Sequence, residues 1–116
     1  MPSEAMVATD IGNSCSVSNG YLRFSAPRSY LAAMTFGNCG YAFPAAMGAK
    51  IGAPERPAIA YVGDGAWGMS LNEMLTCVRE DISHFSVLLE FYKLHYLIYS
   101  SQILTPYLLK TSFPIS

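Results

Sequence analysis

Residues 58–68 of this 116-residue chain read Ala-Ile-Ala-Tyr-Val-Gly-Asp-Gly-Ala-Trp-Gly, and this stretch decides the fold. Its first five residues are apolar or aromatic and are bounded by Pro57 and Gly63, which is typical of a buried β-strand. A helix-forming pattern follows within a few residues. Because α/β proteins bind phosphate groups where a strand passes through a glycine turn into a helix, the stretch predicts an α/β fold with an anion site at this turn.

The Gly-Asp-Gly turn contains the residue types that a metal–diphosphate group requires. We expect Gly63 and Gly65 to allow positive φ angles and to let a ligand approach without a Cβ atom in the way. Backbone N–H groups at the helix start would then face an anion, and the Asp64 carboxylate would bind a divalent cation. Because aspartate and glycine are common in any tight turn, the tripeptide alone leaves an ordinary turn open.

The composition indicates one modest domain with an excess of hydrophobic residues. Of the 116 residues, 52% are hydrophobic and 13% are charged, and the formal net charge is −1. Because Lys and Arg are few and not clustered, there is no basic field for nucleic acid, and we expect no nucleic-acid partner. The hydrophobic excess instead predicts a surface that packs against another domain or subunit.

The cysteines and the N-terminus indicate the compartment. Cys15, Cys39 and Cys77 have neither zinc-site spacing nor a disulfide framework, so we expect buried, reduced thiols. The first ten residues lack the pattern of a signal peptide, and the apolar stretch 85–109 is interrupted by charged and polar residues. We therefore expect a cytoplasmic protein with no membrane segment.

Strand–turn–helix units recur before and at the central stretch. The expected elements are a strand at 5–9, a helix at 14–24, a strand at 30–35, a glycine turn at 36–40 and a helix at 41–51. In the first helix we expect Val17, Tyr21 and Phe24 near one apolar face. Successive units of this kind predict a doubly wound parallel sheet with right-handed crossovers.

A further helix is predicted after the Gly-Asp-Gly turn. Ser70 and Glu73 have the spacing of a capping box, in which each side chain bonds a backbone N–H at the helix start. The residues Leu71, Met74, Leu75 and Val78 then recur at helical spacing and predict one apolar face.

Three separated motifs resemble the diphosphate-binding domain of thiamine-diphosphate-dependent enzymes, in the acetolactate synthase-like group. They are, in order, FGNCGYAFPAAMGAK at 36–50, PERP at 54–57 and YVGDGAW at 61–67. Within the group, residues 6–13, 37–44 and 63–71 are most similar to the sulfoacetaldehyde acetyltransferase family. Another decarboxylase or synthase of the group stays open as the alternative. The resemblance covers roughly residues 4–82.

The resemblance assigns roles to both glycine turns. It implies that Asp64 binds Mg²⁺ and that the N–H groups near Gly65 and Ala66 hold the diphosphate of thiamine diphosphate. It places the turn 37–41 under the aminopyrimidine end, with Gly40 in backbone contact. Cys39 stands where related enzymes often carry a methionine, and a plain core thiol is its alternative. The implied cofactor-binding residues are Gly37, Asn38, Cys39, Gly40, Gly63, Asp64, Gly65, Ala66 and Trp67, although Trp67 could equally pack on the sheet.

The resemblance also implies a reaction and an assembly. In this family the cofactor carries the chemistry while the protein binds, orients and tunes it. Sulfoacetaldehyde and phosphate would give acetyl phosphate and sulfite. The chain would work with other domains or subunits of the same enzyme, as a homo-oligomer.

The last third of the chain departs from the family pattern. No asparagine follows Asn72, whereas the family's metal motif continues with an asparagine on the next strand; Glu90 stands in that window and could substitute for it. The family's activating glutamate comes from a separate domain that this chain does not encode. We therefore expect a partial cofactor domain at 1–82, a divergent or out-of-frame tail at 83–116, and an isolated chain without activity.

Two alternatives to that view remain. Residues 83–116 could be a real C-terminus that packs as another strand and helix, beginning with a strand at 87–91. The whole chain could also be a non-catalytic remnant or interaction module.

Overall fold

A computed structural model describes residues 3–82, 85–91, 94–99 and 107–108. In chain order its elements are β1 (Met6–Thr9), α1 (Asn13–Tyr21), β2 (Tyr30–Ala32), α2 (Ala42–Gly52), β3 (Ala58–Gly63), α3 (Asp64–Ser70), α4 (Glu73–Arg79), β4 (Phe85–Phe91), β5 (Leu94–Tyr99) and β6 (Tyr107–Leu108). The predicted strands at 5–9, 30–35 and 58–62 and the predicted helices at 14–24 and 41–51 are present, with shifted ends.

The strands form one sheet in the order β2-β1-β3-β4-β5-β6. The first four in this order run parallel to one another, and β5 and β6 are each antiparallel to the strand before them. All four residues of β1 are buried, as expected for a parallel strand covered on both faces. The predicted α/β fold with a parallel sheet is confirmed.

Helices cover both faces of the sheet. On β3, Ala58, Ala60 and Val62 are buried in the core beneath α2. The opposite face of this strand meets α1, since a Cβ atom added at Gly63 would lie 3.9 Å from Oγ of Ser14. Because the chain leaves β1 and β3 toward opposite faces, the crevice between their carboxyl ends is the switch point at which doubly wound sheets bind ligands.

The main core lies between the sheet and α2. Phe43 and Met47 of α2 are buried with Val62 and Val87 from the strands. The ring of Trp67 meets the ring of Phe43 edge to face, with centroids 4.8 Å apart and planes 80° apart. This aromatic pair fixes α3 to α2 and therefore fixes the residues after β3 relative to the rest of the domain.

The buried face of α1 differs from the apolar face expected from the sequence. Val17 and Tyr21 are 42% and 81% exposed, whereas Ser14, Cys15 and Ser18 are buried. Burial of serine is tolerated because Oγ of Ser18 lies 2.7 Å from the carbonyl oxygen of Ser14 and 2.8 Å from the hydroxyl of Tyr30. Hydrogen bonding to β2, and not apolar periodicity, selects this face.

The capping box predicted at Ser70 and Glu73 is wrong. Ser70 is the buried last residue of α3, and α4 begins at Glu73 without a side-chain cap. The Glu73 carboxylate instead accepts a hydrogen bond from Oγ1 of Thr76 at 2.9 Å. The predicted helix itself is present as α4, and an additional helix, α3, precedes it because β3 passes directly into a helix at Asp64.

The apolar face predicted for α4 is only partly buried by the described residues, because Met74 packs against the core while its other members are exposed. Leu71, Leu75 and Val78 are 46%, 75% and 68% exposed, and Cys77 is the buried residue of this helix. The helical spacing of the apolar residues therefore predicts the apolar face of α4 correctly, but it does not predict which part of the protein covers that face.

The chain continues as strands beyond residue 82. β4 pairs with the whole length of β3, so the strand expected at 87–91 is confirmed. β5 then returns antiparallel to β4 in a region for which the sequence predicted no firm structure. The division into 1–82 and 83–116 stays a prediction. Within the part of the chain that the structure describes, no helix has the length and apolarity to cross a membrane.

Candidate functional site

The two glycine turns singled out in the sequence meet at the carboxyl edge of the sheet. A Cβ atom added at Gly40 would lie 3.1 Å from Cβ of Met69 and 4.0 Å from the carbonyl oxygen of Ala66, both in α3. At the other end of the same turn, a Cβ added at Gly37 would lie 3.6 Å from the side chain of Ile11, just after β1. The turn therefore spans the crevice between the ends of β1 and β3.

The positive φ angles lie in the first turn and not in the second. Gly37 and Gly40 have φ of 71° and 82°, whereas Gly63 has φ of −79°. The expectation of positive φ at Gly63 and Gly65 is wrong because the strand passes straight into the helix, with Asp64 as the first helical residue. What Gly65 provides is space, since no other described part of the chain, apart from its neighbours and its own helix backbone, lies within 4 Å of an added Cβ there.

The start of α3 is open to a ligand. Asp64 and Gly65 are exposed, and the residue before the helix, Gly63, has no side chain that could cap the first turn. The first N–H groups of a helix have no partner within it, and the helix dipole makes this end positive. An anion can therefore approach the amides beside Gly65, and a cation that accompanies the anion can reach the Asp64 carboxylate.

The start of α2 is already occupied by a carboxylate from within the chain. Asp10, which follows β1 and is 1% exposed, accepts hydrogen bonds from the backbone N–H groups of Tyr41 at 2.8 Å and Ala42 at 3.3 Å. Burial raises the pKa of this carboxyl above its usual range, and the backbone N–H groups of Tyr41, Ala42 and Gly40 offset part of that rise.

Asp10 is the residue that sequence reasoning missed. The sequence places it only within the family motif at 6–13, because its hydrogen-bond partners lie 31 and 32 residues away in sequence. The available signal was an acidic residue directly after a buried strand whose neighbouring helix begins at the same edge of the sheet.

The remaining predicted site residues have different surroundings. Trp67 and Ala66 are buried, and the Trp67 ring belongs to the core pair with Phe43. The Cys39 thiol is exposed, which corrects the expectation that all three cysteines are buried, while Cys15 and Cys77 are buried as expected. Asn38 is half-buried in the turn. Contact of these residues with a cofactor stays a prediction.

The metal role rests on Asp64. Among the described residues there is no group of three or more His, Cys, Asp or Glu side chains that could hold an ion. One carboxylate fits Mg²⁺ bound together with a diphosphate, because Mg²⁺ commonly takes one or two carboxylates and completes its shell with phosphate oxygens and water. The strand register places Glu90 of β4 opposite Gly63, at the same edge of the sheet.

Comparison with known proteins identifies the type of domain. Residues 10–90 match the family described as thiamine pyrophosphate enzyme, C-terminal TPP binding domain. This match includes β4 and extends past residue 82, where the resemblance was expected to end.

Individual relatives cover a similar part of the chain. Sulfoacetaldehyde acetyltransferases of Castellaniella defragrans and Alcaligenes xylosoxydans xylosoxydans are each 66% identical over 82 residues, which is 71% of this chain and 14% of either relative. A probable 2-ketoarginine decarboxylase of Pseudomonas aeruginosa is 39% identical over 89 residues, 77% of this chain and 16% of that protein. The chain thus spans about a seventh of the length of these relatives.

Proposed function

Because this chain belongs to the thiamine pyrophosphate enzyme family, in its C-terminal TPP-binding domain, we propose that thiamine diphosphate binds in the crevice between the carboxyl ends of β1 and β3. The observation that carries the placement is the approach of the turn 36–41 to α3, where Gly40 lies against Ala66 and Met69. Two motifs that are distant in sequence thereby come together at one edge of the sheet.

The diphosphate is assigned to the start of α3. There Gly65 leaves room for a phosphate oxygen next to the backbone, and the N–H groups of the first helical turn point toward it. Asp64 would bind Mg²⁺, which joins the carboxylate to the diphosphate. Gly63, Asp64, Gly65 and Ala66 hold this end of the cofactor, and Trp67 fixes their position from the core.

The aminopyrimidine end is assigned to the turn 36–41. Gly37, Asn38, Cys39 and Gly40 lie in the turn that spans the crevice, and Gly40 approaches α3 tightly enough for its backbone to border a cofactor bound there. The exposed thiol of Cys39 would border the cofactor.

For the full-length protein we propose the reaction named for the relatives at 66% identity, sulfoacetaldehyde acetyltransferase. Sulfoacetaldehyde and phosphate would give acetyl phosphate and sulfite. When bound, thiamine diphosphate would supply the electron sink that loss of sulfite requires, while these residues would hold its diphosphate and orient its rings. A decarboxylase or synthase of the same group is the second candidate, supported by the 39% identity to the 2-ketoarginine decarboxylase.

The isolated 116-residue chain is proposed to be inactive. The complete enzyme is proposed to act in the cytoplasm as a homo-oligomer. The isolated chain spans 14% of the relatives, and ten large hydrophobic side chains among the described residues are exposed, including Leu75 and Val78 of α4. A non-catalytic remnant is the competing proposal, favoured by Glu90 in the window where the family carries an asparagine.

Calorimetric titration of the 116-residue chain with thiamine diphosphate tests the cofactor proposal. We expect saturable binding that requires Mg²⁺ and is abolished by a chelator. Asp64→Ala should weaken the Mg²⁺-dependent binding by about ten-fold or more, because it removes the charged ligand from the metal. Asp81→Asn, which neutralises an exposed aspartate outside the crevice, is the matched control and should bind as the wild type does.

A graft separates the two proposals for the chain. Replacing residues after Ile82 by a family segment with the asparagine should raise the affinity for Mg²⁺ and thiamine diphosphate if the site is a cofactor site. Binding that is absent in the wild type and is not gained by the graft would favour the remnant.

A further inference from the structure

One buried acidic residue, Asp10, has no role in the cofactor contacts described above. It connects the end of β1 to the start of α2, both of which lie at the crevice. Its carboxylate is 1% exposed and accepts hydrogen bonds from the N–H groups of Tyr41 and Ala42. These are the last residue of the glycine turn and the first residue of α2. The carboxylate thus holds the point at which the turn becomes a helix.

Asp10 is itself fixed to the centre of the sheet. It follows β1, which pairs with β2 on one side and β3 on the other, and its N–H donates to the carbonyl oxygen of Tyr61 at 3.4 Å. Its carbonyl oxygen accepts a hydrogen bond from Oγ1 of the buried Thr9 at 3.2 Å. A side chain anchored in this way can define the position of a loop that packs on it.

The loop that Asp10 holds is the one that faces α3. Gly40 precedes Tyr41 directly, and it already approaches Met69 so closely that a methyl group there would lie 3.1 Å from Cβ of that residue. Displacing Tyr41 therefore moves the turn where it packs on α3 and borders the crevice. The start of α3 depends on β3 instead, because Asp64 follows that strand without a loop.

We propose that Asp10 is the positioning residue for the aminopyrimidine side of the site: it sets the turn 36–41 at the distance from α3 that accepts the cofactor's rings. This inference rests on the proposed function, since it assigns the turn to that end of the cofactor. It separates the site into a diphosphate side that depends on β3 and a ring side that depends on Asp10.

The test compares a ligand that has rings and a diphosphate with a ligand that has only the diphosphate part. Thiamine diphosphate and inorganic pyrophosphate are each titrated with Mg²⁺ into the full 116-residue chain, its Asp10→Asn variant and the Asp81→Asn control. The amide retains the shape of the side chain but offers one acceptor oxygen, so one of the two N–H groups loses its partner. Asp10→Asn should bind thiamine diphosphate about ten-fold more weakly and pyrophosphate within about two-fold of the wild type.

The outcomes separate this inference from the proposed function. Suppose that the wild type binds thiamine diphosphate. If Asp10→Asn then lowers the affinity for both ligands equally, or changes neither affinity, Asp10 does not position the ring side and the inference is overturned. If the wild type binds neither ligand, the proposed function fails and the inference with it. Amide hydrogen exchange gives a second readout, with loss of protection expected at Tyr41 and Ala42 and not in α3.

A second variant keeps the test decisive if Asp10→Asn does not fold. Asp10→Glu keeps both acceptor oxygens and the charge but moves them by one methylene, which displaces the turn. The same selective loss of thiamine diphosphate is expected, with pyrophosphate again the reference. If Asp10→Glu bound each of the two ligands with the same affinity as the wild type does, the positioning role would be contradicted.

Discussion

The starts of α2 and α3 lie at the same edge of the sheet but differ in what neutralises them. The first amides of α2 are bonded to the buried carboxylate of Asp10, which the chain itself supplies. Gly63 before α3 offers no side-chain cap, Asp64 is exposed, and among the described residues the space beside Gly65 is open. The helix start that binds an internal carboxylate has a structural role, because that contact stabilises the fold. The helix start without such a carboxylate can accept an anion from outside the chain.

The largest expected difference between these two helix starts is in stability. Asp10→Ala leaves the N–H groups of Tyr41 and Ala42 without their partner and should lower the free energy of unfolding by roughly 2–4 kcal/mol. Asp64→Ala should change it by less than about 1 kcal/mol, because Asp64 is exposed and only its interaction with the helix dipole is lost. Urea unfolding followed by circular dichroism measures both. Equal losses would mean that the start of α3 also has a structural role.

Glycine-to-alanine substitutions should act in opposite directions at the two turns. Gly40→Ala places a Cβ 3.1 Å from Met69 at a φ of 82° and should destabilise the fold by roughly 1–2 kcal/mol. Gly65→Ala meets no atom within 4 Å and is helical, so it should stabilise the free chain by about 0.5–1 kcal/mol. Thermal unfolding without ligand measures the two signs.

Binding separates Gly65 from an ordinary helical glycine. Gly48→Ala is the matched control, because Gly48 lies in α2 and also has no atom within 4 Å of an added Cβ. Both helical variants should gain stability, but only Gly65→Ala should weaken pyrophosphate binding in the presence of Mg²⁺. Unchanged binding by Gly65→Ala would place the diphosphate elsewhere.

The same contrast shows what the sequence could reveal. The run 58–62 and the turns that follow two strands predicted a parallel sheet, and local apolar patterns with flanking Gly and Pro suffice for that inference. The open start of α3 was also recognisable, since Gly-Asp-Gly is a local motif. The bond from Asp10 to Tyr41 was not, because it depends on which strand lies beside which helix. The capping box at Ser70 failed for a related reason: helix α3 begins earlier than its local pattern indicates.

The pH dependence of stability sharpens the description of the α2 start. Burial raises the pKa of Asp10 in the folded chain, so the folded state keeps a proton that the unfolded state loses near pH 4. Stability should therefore fall as pH rises from about 4 through the raised pKa, by about 1.4 kcal/mol for each unit of the rise. The pKa values of Tyr30 and Cys77 are also raised by burial, but these groups titrate in the alkaline range and leave this window clear.

Urea midpoints between pH 4 and 7 measure this effect. Asp10→Asn should remove the downward slope, whereas Asp81→Asn should keep it. A slope that survives in Asp10→Asn would assign the titration to another group, and the α2 start would then be no different electrostatically from the α3 start.

The smallest expected effect concerns the other end of α3. Ser70 and Ser18 are both buried, but Oγ of Ser18 contacts the Tyr30 hydroxyl and the carbonyl oxygens of Ser14 and Cys15, whereas Oγ of Ser70 has no hydrogen-bond partner among the described residues. An unpaired buried hydroxyl is unfavourable, so Ser70→Ala should raise the free energy of unfolding by up to about 1 kcal/mol, and Ser18→Ala should lower it by about 1 kcal/mol. Calorimetric melting of the two variants measures the difference. A loss of stability in Ser70→Ala would show that Oγ of Ser70 has a hydrogen-bond partner in the folded chain, whereas a gain would show that this end of α3 holds an unpaired buried hydroxyl.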